Sequence, residues 1–417
     1  MNNNMLIEAM PTKDLFIDTL TRDVNITDAI LDLVDNAIDG YTRNNIQDRR
    51  EINLKISKNE FLIHDTCGGI DVDSARKDVF RFGVVKGSKH SLGVYGIGLK
   101  RSIFKLGSTV AFESDNGKNY FRVDIDVNEW KKSDDWNFQF TEIKNSTAQS
   151  FTRLKINELK SDVKREFESN RFINELSERI SKTYFMFIKN NVDIVLNGFS
   201  IPQYELEIVF SEEVEPAFKK LSFNGINVKL YAGAHPDYKN PGWYILCNDR
   251  LIVAGDRTEK TGWGSRGVPN YHPKFNRFKG FAFINADDPT KLPWTSAKNN
   301  IDKDSEIYSK ILPAMQNLTA QYTKHLSSYY PTEKEETIGV EGLGKLTPKP
   351  IIQLEKEQNF KAPPPPKRTV YATISYKKPK SEVDALKRCM GNKNLTHKEL
   401  GERTFEYYKE MECSDDE

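Results

Sequence analysis

The chain has 417 residues, 61 of them basic and 60 acidic, so a net charge of +1 gives no ground for nucleic-acid or membrane binding by bulk charge. A composition of 38% hydrophobic and 29% charged residues describes a globular protein, long enough for two or three domains with substantial cores. Four scattered cysteines without a CxxC or Cys/His cluster argue against a zinc module and a disulfide framework.

The opening "MNNNMLIEAMPTKDLF" has no basic region followed by an apolar run, and no stretch approaches the roughly 20 apolar residues of a membrane span. The expectation is a cytoplasmic, soluble protein. Leu15, Phe16 and Leu20 then form an apolar set without an obvious place in a core. The segment "DAILDLVDNAIDG" (28–40) follows. At helical spacing, Ile26, Ile30, Leu33, Val34, Ala37 and Tyr41 gather on one side. Asp32, Asp35, Asn36 and Asp39 gather on the other, with Asn36 one turn after Asp32. A solvated face usually mixes signs, because like charges at i,i+4 repel. This one carries no cation. It is either an exposed acidic face or a site that sets a carboxylate base beside a metal-binding amide oxygen.

"EINLKISKNEFLIHD" predicts two strands around a Lys-Asn turn, the second delivering Asp65 into the turn Gly68-Gly69. That is a plain turn after a strand, or a carboxylate placed to accept the exocyclic amine of an adenine. From Val79 to Phe112 there is no acid, while Arg81, Lys86, Lys89, Lys100, Arg101 and Lys105 alternate with glycines. In "GVYGIGLKRSIFKLG", Gly93, Gly96 and Gly98 allow backbone N–H groups to approach an anion just before a helix starts. Cations in a first helical turn are mildly unfavourable, so Lys100 and Arg101 ask for a counter-anion. The order GxxGxG is neither the dinucleotide fingerprint nor a P-loop.

Downstream, "STVAFESDNGKNYFRVDID" predicts a hairpin about Asn116-Gly117, "SFTRLKINEL" a strand, and "VKREFESNRFINELSERISKTYFMFI" (163–188) a long helix. Strand patterns in "GINVKLYAGA", "GWYILCNDRLIVAG" and "FKGFAFINA", then a helix over about 305–327, predict a separate α+β domain. The predicted organisation is a first domain over 1–205, a second over 206–330, a Gly/Pro-rich linker over 331–367 and a C-terminal helical hairpin over 368–417. In that hairpin Ser381 and Thr396 read as N-caps, and Leu400, Phe405, Tyr408 and Met411 as one face.

"DAILDLVDNAIDG", "DTCGGI" and "GVYGIGLKRSIFKLG", in this order and spacing, resemble the three ATP-binding boxes of the GHKL superfamily. That group includes gyrase B, MutL, the ninety-kilodalton heat-shock chaperones, the ATP-binding half of topoisomerase VI and the MORC ATPases. The "YGIGLK" box is closest in style to MORC proteins and their bacterial relatives. The resemblance covers roughly residues 13–330 and implies a Bergerat-fold α/β (α+β) sandwich of helices on a mixed sheet, followed by a transducer-like domain. It implies ATP and Mg²⁺ as ligands, with Asp32 as general base and Asn36 as the Mg²⁺ ligand beside Asp39. Asp65, Gly69, Ile70 and Thr152 would hold the adenine. Gly93, Tyr95, Gly96, Gly98, Leu99 and Lys100 would wrap the phosphates. Lys298, in "LPWTSAKNNID", would reach the γ-phosphate. It further implies an ATP-dependent homodimer clasp, with the segment around Leu15 and Phe16 crossing to the partner. DNA or a partner protein would be the client, in a DNA-associated or antiviral defence role. The alternatives are a chaperone-like ATPase and an ATP-gated interaction module with little hydrolysis. The chain departs from the family's pattern in three places. Asp32 stands where Glu is usual, Thr66-Cys67 where many members have Asn-Gly, and "SFT" where Gly-Thr precedes the fourth-box strand.

Overall fold

The structure, a computed structural model, describes residues 11–83, 89–93, 96–146, 149–209, 214–235, 238–329, 348–350, 356–364 and 372–413. The chain divides into two compact units, Met1–Pro365 and Pro366–Glu417.

A short α1 (Lys13–Thr21) precedes α2 (Ile26–Arg43), the acid-faced helix. Asn25 starts α2 by accepting the Asp28 amide at 2.7 Å, which satisfies one donor that a helix N-terminus leaves open. β1 (Arg50–Ile56) and β2 (Phe61–Asp65) form the predicted hairpin, with Ile56 opposite Phe61. Then come α3 (Val72–Ser74), which runs on as a π turn over Ala75–Val79, and α4 (Gly98–Leu106). The hairpin of β3 (Gly107–Asp115) and β4 (Asn119–Asp126) leads to α5 (Val127–Lys132), β5 (Glu142–Asn145) and β6 (Phe151–Leu159). The single helix predicted over 163–188 is two, α6 (Ser161–Phe167) and α7 (Asn170–Lys189), because Ser169 starts a new helix by accepting the Phe172 amide. β7 (Val192–Leu196) and β8 (Phe199–Ser200) end the strands of the first sheet.

These eight strands form one sheet in the order β5-β4-β3-β6-β2-β1-β7-β8, in which β1 and β7 are parallel. Burial alternates along β1, β2 and β6, as a sheet covered on one face requires. Helices α2, α4 and α7 pack on this layer. The result is a two-layer α+β sandwich.

After β9 (Glu207–Val209), a second sheet is built from β10 (Ala217–Phe223), β11 (Ile226–Ala234), β12 (Gly242–Cys247), β13 (Arg250–Asp256) and β14 (Phe278–Ala286), in the order β10-β11-β14-β12-β13. β12 is buried at every residue, since both faces of this sheet are covered. On one side lies α8 (Glu306–Tyr329), where Trp243 donates to Thr319 at 3.0 Å. On the other, Phe185 of α7 joins Phe218, Tyr231, Tyr244 and Phe281. Helix α7 therefore touches both sheets.

Two expectations need correcting here. Part of the predicted linker packs beside the second sheet, in the same compact unit: β15 (Pro348–Pro350) pairs with β9, residues 358 and 361 bridge to Phe218 and Glu215, and Phe360 packs on Tyr322. The apolar set in α1 docks on its own chain. Phe16 meets Phe82 and Trp136 edge-on at 4.9 and 5.2 Å, and Ile17 is buried, while Leu15 stays exposed. Lys13 fastens this helix, its buried ammonium donating to the carbonyls of Trp130, Ser133 and Asp135 at 2.5–2.7 Å.

In the second unit, α9 (Lys380–Cys389) starts after Pro379, so Ser381 is not its cap. α10 (His397–Glu412) has the predicted capping box between Thr396 and Glu399. Of its predicted apolar face, Leu400 is buried, whereas Phe405, Tyr408 and Met411 are exposed.

Candidate active site

A cavity of about 520 Å³ opens among α2, the end of β2, the glycine-rich start of α4 and the loop carrying Ser296 and Lys298. Every residue given a catalytic or ligand-binding role from the sequence lines it except Tyr95, which lies outside the described residues. A volume of this size is in the range that takes a small-molecule ligand.

The acidic face of α2 is buried, not solvated. Asp32 is 2% exposed, and Arg101 donates to its Oδ2 from Nη2 at 2.5 Å and from Nε at 3.1 Å. Lys298 lies 3.6 Å from its Oδ1. The counter-anion that Arg101 requires is thus the carboxylate of α2. Asp35 is wholly buried and receives Lys298 at 2.6 Å, Arg250 at 2.8 Å and the Tyr184 hydroxyl at 2.6 Å. Burial alone would push the Asp35 carboxyl up, but Arg250 and Lys298 outweigh it and hold the group below its usual range. Asn36 differs from both: it is exposed, lines the cavity, and makes no side-chain hydrogen bond with a described residue. Asp39 is engaged otherwise, its two oxygens accepting the amides of Leu92 and Gly93 at 2.5 and 2.6 Å. It tethers the glycine-rich segment to α2, and burial pushes its carboxyl up to about 6.

At the far end sits Asp65, 6% exposed, with Oδ1 accepting the Cys67 amide at 2.9 Å. Burial pushes this carboxyl up to about 7, against the opposing pull of that amide and of Arg43. Thr152 faces Asp65 across the β2–β6 pairing, and its hydroxyl is 3.2 Å from that of Ser114. Ser114 in turn accepts the Ile70 amide at 2.8 Å. Gly69 has φ +66°, and a Cβ there would lie 1.9 Å from the carbonyl oxygen of Asp115. The close approach it permits is therefore to the β3–β4 hairpin of its own chain.

The glycine-rich segment ends in the first turn of α4. That helix has no side-chain cap and no acid in its first turn, and Gly98, Leu99 and Lys100 line the cavity there. The open N–H groups of such a terminus attract anions. A side chain at Gly98 would touch Asp32, its Cβ 3.4 Å from the carboxyl carbon. Lys100 departs from the phosphate-binding expectation. Its ammonium is buried and donates to the carbonyls of Val79 and Arg81, both at 2.9 Å, and burial lowers it to about 8. It closes the end of the π turn instead.

The sequence places Asp35 on the acidic face and Arg101 beside the glycines without giving either a specific role, and it gives no sign of Tyr184 or Arg250. Arg250 follows the tight turn Asn248-Asp249, both residues at positive φ, and donates to the Lys298 carbonyl at 2.7 Å. Lys298 itself has φ +51°. The unmixed sign of the α2 face was the available signal: acids on a buried face need partners from elsewhere in the chain, here cations for Asp32 and Asp35 and backbone amides for Asp39.

Residues 24–162 match the model of the family described as "Histidine kinase-, DNA gyrase B-, and HSP90-like ATPase". This part of the chain is similar to the GHKL ATPase domain, and it contains α2, the Asp65 turn, the glycine-rich segment and Thr152. No curated protein matches the chain. Among the described residues no helix is long and apolar enough to cross a membrane.

Proposed function

We propose that the chain is a Mg²⁺-dependent ATP hydrolase of the GHKL type, in which ATP joins two copies as a clasp and hydrolysis releases them. The observation that carries this reading is convergence. Asp32, Asn36, Asp65, Gly98 and Lys298, from four separate stretches of sequence, line one nucleotide-sized cavity.

Asp65 would accept the adenine amine, and the uncapped start of α4 would receive the phosphates. Asn36 suits Mg²⁺: an amide oxygen free in the cavity, completed by waters and substrate phosphates, is a donor set that this ion favours. Bound there, Mg²⁺ would offset charge on the phosphates. Hydrolysis is in-line attack of water on the γ-phosphorus, with the bond to the bridging oxygen breaking and ADP and phosphate leaving. Lys298, once turned from the acids towards the γ-phosphate, offsets the developing charge and leaves Oδ1 of Asp32 free to take the proton of the attacking water. Arg101 keeps Oδ2 and so fixes the orientation of that base.

The pairing of Asp32 with Arg101 also favours a second reading, an ATP-gated module with slow turnover, since a carboxylate held by two cations is a restrained base. Calorimetric titration with ATP and Mg²⁺, beside phosphate-release kinetics, decides between them. Binding with turnover supports the hydrolase, binding without turnover the gated module, and no binding overturns both. The likeness in style to MORC and MutL suggests a DNA-associated or antiviral role. Stimulation of phosphate release by DNA would favour that role over chaperone-like action on a protein client.

A further inference from the structure

Five buried charges alternate in sign from α4 to the second sheet: Arg101, Asp32, Lys298, Asp35 and Arg250. Each acid lies between two cations. If Lys298 leaves, Asp32 keeps Arg101 and Asp35 keeps Arg250, so neither carboxylate is stranded without a partner. This matters because removing the last partner of a buried ion is far more costly than the pair itself is worth. Arg250 has a second task. Its Nη1 holds the Lys298 carbonyl at 2.7 Å, and with the Lys298 amide donating to Thr295 at 2.8 Å it secures a left-handed backbone that a lysine adopts at a cost. The loop backbone is pinned while the ammonium stays exchangeable between acceptors.

We infer that Arg250 is a positioning residue that frees the Lys298 ammonium for the γ-phosphate, and so sets the preference of the cavity for a nucleoside triphosphate over a diphosphate. This rests on the ATP-binding reading. Without Arg250, Lys298 is the sole cation left to Asp35 and is tied to it. Without the Asp35 charge, Lys298 is released.

The experiment is calorimetric titration of the full chain with ADP and with a non-hydrolysable ATP analogue, both with Mg²⁺, reading the ratio of the two dissociation constants. Lys298→Met should abolish the preference for triphosphate. Arg250→Gln should leave ADP affinity within about twofold and weaken the analogue about tenfold, the scale of one charge-assisted contact. Arg250→Lys, which keeps a cation at Asp35, should recover most of the preference, and Asp35→Asn should match or exceed the parent. Loss of affinity for both nucleotides alike in Arg250→Gln, the mark of a structural lesion, overturns the inference, as does an unchanged ratio. Should Arg250→Gln not fold, the other two variants decide: a lowered ratio in Asp35→Asn, or in folded Arg250→Lys a ratio as low as in Lys298→Met, overturns it. A parent that binds neither nucleotide overturns the ATP reading itself. A parent and Lys298→Met that behave as described, beside an indifferent Arg250, overturn the inference alone.

Discussion

Asp65 is the residue whose chemistry can be read most directly in solution. Burial holds its carboxyl near pH 7, well above the ordinary carboxylate. An ionised carboxylate accepts a hydrogen bond from an adenine amine, and the protonated acid loses that capacity at one oxygen. With half-ionisation near pH 7, about a tenth of the free sites carry the charge at pH 6 and about nine tenths at pH 8, so affinity for an adenine nucleotide should rise about tenfold over that range. Inosine triphosphate, which has a carbonyl where adenine has the amine, should not share this rise. The ratio of the two affinities cancels the titration of the phosphates and of Asp39, whose carboxyl sits near 6. Asp65→Asn should flatten the pH dependence and cost about 2 kcal/mol at pH 8, roughly 30-fold in affinity, for an unmatched buried polar contact. Stability follows the same group with a definite sign. Because the folded pKa is raised, the native state binds the extra proton between about pH 4 and pH 7, so the contribution of Asp65 falls as pH rises through that window. Calorimetric titration at pH 6, 7 and 8 is the assay. A ratio that stays constant across these pH values, or Asp65→Asn binding as tightly as the parent, refutes the assignment of Asp65 to the base.

Asp32→Asn keeps the shape of the buried pair but removes the base, so phosphate release should fall at least about 100-fold while binding of the analogue stays within a few-fold; equal turnover in the variant rules out Asp32 as base. Asn36→Ala should weaken the Mg²⁺-nucleotide complex and leave nucleotide binding in the presence of a chelator unchanged; the same loss under both conditions would remove Asn36 as the metal ligand. Gly69→Ala forces a Cβ into the Asp115 backbone at positive φ and should destabilise the fold by at least about 2 kcal/mol in urea denaturation. A tighter dimer should form with analogue and Mg²⁺ than without, by light scattering; a molecular mass that saturating analogue leaves unchanged ends the clasp proposal.

Local features of the fold were legible because they are written in neighbouring residues. Turn residues marked the β1–β2 and β3–β4 hairpins, alternation gave β6, and Thr396 with Glu399 gave the start of α10. The break at Ser169 was missed because the apolar periodicity continues across it, and only the cap reveals two helices. In the site, residue types were readable and partners were not. Nothing near Asp35 in sequence announces Arg250 or Lys298, which lie 215 and 263 positions further on. Lys100 looked like a phosphate ligand because a cation in a first helical turn wants an anion. Carbonyls at the end of the preceding π turn satisfy it equally well.

The fully enclosed Asp35 has a consequence for how the chain is made. Its carboxylate sits on α2 near the start of the chain, while both of its cations belong to segments that leave the ribosome much later. Shielding a lone carboxylate from water costs several kcal/mol, a large share of what one domain has to spare. A nascent chain that has reached residue 205 therefore holds every strand of the first sheet and the Tyr184 hydroxyl, but neither cation of Asp35. Asp35 has no cation until Arg250 emerges, and its full set only when Lys298 follows. At ordinary translation speeds the roughly 90 intervening residues impose a wait of about 5–20 s. Until then, the polypeptide is a half-finished lock, its innermost charge still waiting for the residues that close over it.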